Sequence, residues 1–179
     1  FNPDAASAGR RALRNVLLAC LGAGSAGAEL AARQFRDAGN MTDKVAALTV
    51  LAHRFPGEPE TVAALAAFEK AYGDDPLVLD KWFALQAGMW RRDPAAPPTL
   101  ARVRALLADA AFSLANPNKV YALLGSFFRA NPAEFHLPDG SGYALWAEQV
   151  IALDAANPQV AARMARALEN WRRFTPALQ

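Results

Sequence analysis

Apolar side chains recur at intervals of three and four residues along most of this chain, a spacing that places them on one face of an α-helix. The first such stripe consists of Leu13, Val16, Leu17 and Cys20. A second consists of Val45, Leu48, Thr49 and Ala52. We therefore predict a buried face for each of these helices, and we interpret Cys20 as a buried, unreactive thiol.

Capping and stop residues divide this pattern into about nine helices. Asn-Pro pairs, in which an N-cap residue precedes the favoured first helical residue, begin at positions 2, 116, 131 and 157. The predicted helices cover residues 3–21, 26–38, 43–54, 60–72, 76–89, 99–111, 117–129, 143–156 and 158–174, with a short helical turn after 131. Because short connections favour antiparallel neighbours, the sequence predicts an all-α array of helix pairs.

Composition supports the absence of a sheet. The 179 residues include 42 Ala and 22 Leu but only 9 Val, 1 Ile and 5 Thr, and β-branched residues are the ones that favour strands. The Asn-Pro pairs follow no fixed period, so the pattern indicates a degenerate helical-hairpin array rather than a regular repeat. We predict a single helical-array domain over residues 1–179.

Composition also excludes several classes of protein. An apolar content of 53% with a net charge of +2 does not fit an intrinsically disordered chain, and a single Cys cannot form a disulfide scaffold. No apolar run reaches the length of a membrane span, and the arginines are too sparse to indicate a nucleic-acid partner. The chain opens on Phe1 rather than Met, so we expect it to be an excised piece of a longer protein.

The chain offers little catalytic chemistry of its own. Its two imidazoles, His53 and His136, lie on different predicted elements, and no Cys or carboxylate motif accompanies them, so we predict no metal site. Ser141 lacks the flanking glycines of a nucleophile elbow and follows no strand, so we predict no catalytic role for it. The glycines beside it fit a tight loop before a helix.

Two features leave alternatives open. The segment 81–83, Lys-Trp-Phe, fits core packing with an exposed lysine tip, but it also fits an interface. Gln159 and Arg163 are four residues apart and share one face of the last helix, which could meet solvent or a cavity. An ion pair from Arg163 to a neighbouring domain is a further alternative.

Six short segments, taken in order, resemble the C-terminal helical domain of the bacterial aminopeptidase N family, which are zinc aminopeptidases of the gluzincin type. They include Asn-Met-Thr-Asp at 40–43, Asp-Lys-Trp-Phe at 80–83, Asn-Pro-Asn at 116–118, Asp-Gly-Ser-Gly-Tyr at 139–143 and Asn-Pro-Gln-Val-Ala at 157–161. The sixth is the opening stretch, with Asn-Pro-Asp-Ala-Ala-Ser at 2–7, Gly-Arg-Arg at 9–11 and Leu-Arg-Asn at 13–15.

The resemblance implies an α-α superhelix of the armadillo or HEAT kind that closes over an upstream catalytic domain of the same polypeptide. It implies that zinc and the catalytic residues belong to that upstream part, with no cofactor or catalytic residue in this chain. It also implies that Gln159 and Arg163 line the substrate cavity of the intact enzyme. Tyr121 stands where relatives often have Arg, and we include it in that lining.

We therefore expect a non-catalytic domain of a cytoplasmic zinc aminopeptidase that limits access to the active site and helps to shape the cavity for a peptide substrate. The alternative is a free-standing helical scaffold that binds a protein or peptide in its groove. We also expect the excised domain to expose an apolar surface that the rest of the polypeptide normally covers.

Overall fold

The computed structural model describes residues 2–179, and this range contains helices but no strand. Its helices are α1 (Ala5–Leu21), α2 (Gly27–Asp37), α3 (Met41–Arg54), α4 (Pro59–Tyr72), α5 (Pro76–Ala87), α6 (Thr99–Leu107), α7 (Pro117–Val120), α8 (Ser126–Ala130), α9 (Pro132–Phe135), α10 (Ser141–Ala156) and α11 (Pro158–Ala165). The all-α prediction is confirmed. Phe1, on which the expectation about the start of the chain rests, lies outside the described residues.

Two departures from regular α-helix matter for the site. A π-helical turn, Tyr121–Gly125, joins α7 to α8, so residues 117–130 form one continuous helix. After α11 come three short 3-10 turns, Arg166–Leu168, Trp171–Arg173 and Pro176–Leu178. The prediction of one helix over 158–174 is therefore wrong beyond Ala165. No residue after Met164 is buried, so no apolar face supports a longer helix there.

Several helix starts differ from the prediction by one or two residues. Asp4, rather than Asn2, caps α1 by accepting a hydrogen bond of 2.9 Å from the Ser7 amide. Asn40, rather than Thr42, caps α3. The caps of α7 and α11 lie at Asn116 and Asn157 as predicted, because each side chain accepts a hydrogen bond from an amide in the first turn. Local sequence thus sets most of the boundaries.

The described residues divide into two compact units, one ending at Leu85 and the other starting at Gln86. We call them the N-terminal unit and the C-terminal unit. In the N-terminal unit α3 packs against α1, α2 and α4. Its core includes Ala47, Leu48, Leu51, Phe68 and Phe83, all fully buried. The prediction of one domain over residues 1–179 stays a prediction.

A buried carboxylate ties α1 to α3. Asp43, 1% exposed, accepts hydrogen bonds from Arg14 at 3.0 Å, Asn15 at 3.1 Å and the Asn40 side chain at 2.9 Å. Gln34 on α2 donates to the Asp43 carbonyl oxygen. The segment 40–43 that contributes to the family resemblance therefore links α1, α2 and α3 through hydrogen bonds and has a structural role in this unit.

The predicted burial of the first apolar stripe is wrong. Leu13, Val16 and Leu17 are 50–61% exposed, and the Cys20 thiol is exposed as well. Leu18 is the residue of α1 that is buried. The helix packs against α3, and Leu13 and Leu17 border an open pocket of about 580 Å3 whose opposite side includes Leu30 of α2. No described residue fills that pocket, so the stripe is only partly covered.

The second stripe and the Lys-Trp-Phe segment behave as core. Leu48 and Ala52 are fully buried on α3. Trp82 is buried and donates its indole N–H to the Leu65 carbonyl at 3.1 Å, Phe83 is fully buried, and Lys81 is exposed. Core packing is thus confirmed for this segment. No helix among the described residues is long and apolar enough to cross a membrane.

An aromatic cluster forms the core of the C-terminal unit. Phe127 and Phe128 on α8 and Phe135 on α9 pack with ring centroids 5.2–6.0 Å apart. Leu145 and Leu153 bury one face of α10 in the same unit. This core holds the end of the π-containing helix, α9 and α10 together, and it supports the surface on which the candidate site lies.

Candidate functional site

The three residues proposed from the sequence lie on two elements of the C-terminal unit. Tyr121 is half-buried and starts the π-helical turn, whereas Gln159 and Arg163 are exposed on α11. The Asn157 cap and the following proline start α11, and burial of Val160, Ala161 and Met164 fixes which face turns inward. Gln159 and Arg163 therefore project from the outer face, one turn apart.

The structure brings Arg163 and Tyr121 together. The guanidinium carbon of Arg163 lies 5.4 Å from the centre of the Tyr121 ring, within the range of a cation–π contact. Gln159 is not among the residues that line the two pockets at this surface. Of the three sequence-derived residues, two thus form a pair, and Gln159 lies one helical turn away on the same face.

Arg129 is a site residue that the sequence analysis missed. It is exposed near the end of α8, and its terminal Nη2 donates a hydrogen bond to the Arg163 carbonyl oxygen. Arg129 and Arg163 are 34 positions apart in the chain, and Arg129 belongs to no local motif. Only the packing of α11 beside α8 shows that these two arginines belong to one surface.

Two open pockets adjoin each other at Arg129 and Arg163. One, of about 350 Å3, is lined by Tyr121, Gly125, Ser126, Arg129, Ala130, Arg163 and Met164. The other, of about 560 Å3, is lined by Phe128, Arg129, Pro132, His136, Arg163, Arg166, Ala167, Glu169, Asn170 and Phe174. Arg129 and Arg163 belong to the walls of both, and we call the two pockets together the arginine groove. Both volumes fall within the range of small-ligand sites.

The arginine groove carries an excess of positive charge. Arg166 pairs with Glu169 at 2.9 Å, which accounts for the carboxylate in the lining. Among residues 2–179, neither Arg129 nor Arg163 has a carboxylate within ion-pair distance. The groove can therefore bind an anion without first breaking an ion pair of either arginine.

His136 lies in the wall of the larger pocket and is held by aromatic neighbours. Its Nδ1 lies 2.8 Å from the Tyr143 hydroxyl, and its ring packs against Phe135 and Phe174. Burial lowers the pKa of His136 below its ordinary value of 6.5 and raises that of Tyr143 above 10.0. Both groups are thus neutral near pH 7.

His53, the other imidazole, is half-buried on α3. Burial is the main cause that lowers its pKa from 6.5, and its Nε2 is buried without a hydrogen-bond partner in the described structure. No group of three His, Cys, Asp or Glu side chains within residues 2–179 could hold a metal ion.

The Ser141 hydroxyl donates a hydrogen bond to Asp139 at 2.7 Å, in the turn that starts α10.

We expect the chain to lose stability as the pH falls below about 6.5. Because burial lowers the folded-state pKa of both histidines, the unfolded chain binds more protons than the folded chain in this range. Their contribution is complete above pH 6.5 and is lost as the pH falls toward the lowered values. Asp4 and Asp139 also have lowered pKa values, but they titrate below about 3.8, outside this window.

Urea unfolding at pH 7.5, 6.5 and 5.5 measures this effect. The double variant His53→Gln, His136→Gln should show a smaller decrease in unfolding free energy over the same interval. Equal pH dependence in the variant and the parent would show that other groups are responsible.

The comparisons with known proteins point to one family. A family model described as "Domain of unknown function (DUF3458_C) ARM repeats" matches residues 1–179. Aminopeptidase N of Caulobacter vibrioides is 44% identical over 180 residues, which span 99% of this chain and 20% of that protein. Aminopeptidase N of Escherichia coli is 39% identical over 168 residues, or 92% of this chain and 18% of that protein.

A solved structure gives the same result. The crystal structure of Legionella pneumophila aminopeptidase A in complex with aspartic acid aligns with a TM-score of 0.76 and 35% identity, over 85% of this chain and 17% of that one. The chain thus spans about a fifth of the length of these relatives and corresponds to their C-terminal part. The expected armadillo-like array is confirmed by the match to ARM repeats.

Proposed function

The chain belongs to the DUF3458_C family of ARM-repeat domains, and we propose that it is the non-catalytic C-terminal domain of a zinc aminopeptidase. In this proposal the domain covers the active site, limits access to it and lines the substrate cavity. The observation that carries the proposal is the 44% identity, over nearly the whole chain, to the C-terminal fifth of an aminopeptidase N. The same match favours a domain of a larger enzyme over a free-standing scaffold.

The chemistry of the proposed enzyme is assigned to the upstream part of the polypeptide. The described residues offer no set of three metal ligands, so they do not fit a zinc site, and no catalytic step is assigned to them. The partners we propose are the upstream catalytic domain and a peptide substrate, and we propose a cytoplasmic location. This chain would contribute shape and charge to the cavity rather than reacting groups.

The exposed stripe of α1 supports contact with the preceding part of the polypeptide. Leu13, Leu17 and Leu21 lie at intervals of four residues and are each at least 50% exposed. Terminal repeats of helical arrays require a polar outer face, and this face is apolar. Since the relatives are about five times longer than this chain, we propose that the segment before α1 packs on this stripe.

We propose that Arg163, Tyr121 and Gln159 line the substrate cavity of the intact enzyme. Arg163 lies over the Tyr121 ring and lines an open pocket, and Gln159, one turn away, can both donate and accept hydrogen bonds. Such side chains can contact a bound peptide without touching zinc. Their effect should therefore fall on the choice of substrate rather than on the metal.

Arg163→Ala and Gln159→Ala in the full-length enzyme test this role. We expect each to change the ratio of kcat/KM between substrates with different first residues by about 5- to 30-fold, the loss of one polar contact. The substrate panel includes an aspartyl first residue, because the Legionella relative is in complex with aspartic acid.

Zinc content and melting temperature are the controls for these variants and should not change. An unchanged ratio of kcat/KM between substrates would contradict the proposal that Gln159 and Arg163 line the substrate cavity. A uniform loss of activity with a lower melting temperature would show that Arg163 instead ties the domain to a neighbour.

A further inference from the structure

We propose that Arg129 and Arg163 together bind a carboxylate group of the peptide substrate, either its C-terminal carboxylate or an acidic side chain. This inference rests on the proposed function, because it requires the arginine groove to face the substrate cavity. It goes beyond that function by adding Arg129 and by naming the chemical group that the groove recognises.

Each guanidinium is held in position by a contact that uses no anion. Arg163 makes a cation–π contact with the Tyr121 ring, and its side-chain N–H groups donate no hydrogen bond to another of residues 2–179. Arg129 donates from Nη2 to the Arg163 carbonyl, and its other donors make no further hydrogen bond within residues 2–179. The two groups are thus ordered before a ligand arrives, which lowers the entropic cost of binding.

The charge of this pair is not neutralised within the described residues. The Glu169 carboxylate, which also lines the groove, forms an ion pair with Arg166 and does not pair with Arg129 or Arg163. A planar guanidinium matches a carboxylate through two parallel N–H···O bonds, so a carboxylate suits these donors well. A second guanidinium in the lining of the same groove adds attraction and selects against uncharged ends such as amides.

The shape of the groove fits a ligand with an apolar part next to its anionic group. Phe128, Pro132 and Phe174 line the larger pocket beside the arginines. The smaller pocket begins at the π-helical turn, a rare form of helix that often occurs at functional sites. An aliphatic or aromatic side chain can therefore lie against this wall while its carboxylate meets the arginines.

The test uses the full-length enzyme and matched peptides. One series has the same first residue and two to six residues in total, each length prepared as the free acid and as the C-terminal amide. A second series consists of amides that carry a single Glu at successive positions after the first residue. The first series detects a C-terminal carboxylate and the second detects an acidic side chain.

Arg129→Gln is the informative variant, because Gln keeps N–H donors on a polar side chain but carries no charge. We expect the parent enzyme to prefer the acid at one or more lengths, or Glu at one position. Arg129→Gln should reduce that preference by about 3- to 10-fold through KM, with a smaller effect on KM for the matched neutral amides. Arg129→Lys should retain part of it. Arg172→Gln is the control, because Arg172 stacks on Trp171 and does not line the groove.

The outcomes separate this inference from the function on which it rests. If the parent enzyme shows no preference for acid or Glu in either series, the inference is wrong. It is also wrong if Arg129→Gln and Arg172→Gln reduce the preference equally, since that result indicates only the general charge of the surface. If the Gln159 and Arg163 variants still alter the selection of the first residue in these cases, the proposed function is supported although the inference about a carboxylate is wrong. If they do not, both fail.

Discussion

Replacing Glu134 by alanine should lower the free energy of unfolding by about 3–5 kcal/mol, the cost of breaking a buried ion pair and leaving its donors unpaired. Glu134 is almost fully buried. Its Oε1 accepts a hydrogen bond of 3.2 Å from the Arg91 amide and forms an ion pair with the Arg91 Nε, also at 3.2 Å. Its Oε2 accepts from the Thr99 amide at 3.0 Å. This carboxylate thus holds both ends of the connection between α5 and α6.

No nearby group is expected to replace the hydrogen bonds that the Glu134 carboxylate accepts. The Thr99 amide is buried, and water would have to enter the core of the C-terminal unit to replace the carboxylate. For a chain of this length, the expected loss corresponds to a melting temperature lower by about 6–20 °C. Thermal and urea unfolding of the chain measure it.

Glu148→Ala is the matched control for Glu134→Ala. Glu148 pairs with Arg104 at 3.2 Å, but both side chains are about half-exposed, and such pairs contribute about 0–1 kcal/mol. Similar losses for the two variants would contradict the assignment of Glu134 as a buried clasp.

Gly142→Ala should destabilise the chain by about 3 kcal/mol, at the upper end of the cost of overpacking. A Cβ atom at this position would overlap the Phe135 carbonyl group. That neighbour is backbone in the aromatic core and cannot rotate away, so the first turn of α10 would have to shift. Urea unfolding measures the loss, and a crystal structure of the variant would show the displaced turn.

Gly140→Ala, two residues earlier at the N-cap of α10, is the control for Gly142→Ala. Gly140 has φ of 71°, but open space surrounds the position of its missing side chain. The expected cost is therefore the backbone strain alone, about 1–2 kcal/mol. A larger loss at Gly140 than at Gly142 would show that conformation, rather than close approach, explains both glycines.

The sequence was sufficient to predict the helices and most of their boundaries. Alanine and leucine dominate the chain, and asparagine caps followed by proline mark the starts of α7 and α11 where the structure has them. These signals are local, since a cap or a helical stripe depends on residues within one or two turns. The ordered segments that resemble aminopeptidase N also lie in the linear sequence, and the family match confirms them.

Periodicity could not show which apolar faces are covered. Leu13, Val16 and Leu17 follow the same spacing as the buried stripe of α3, yet they are exposed. A stripe reports that a helix has an apolar side, whereas burial depends on whether another element packs there. For α1, that side borders an open pocket shared with α2, and none of the described residues fills it.

The candidate site required tertiary structure for the same reason. Spacing placed Gln159 and Arg163 on one face, but only packing brought Tyr121 under the Arg163 guanidinium and Arg129 against its carbonyl. The close approach at Gly142 also depends on Phe135, which lies on a different helix. The sequence by itself determined the helices, their caps and the family, because these depend on neighbouring residues or on linear order. The charge and shape of the arginine groove were decided by tertiary structure, because they depend on contacts between residues far apart in the chain.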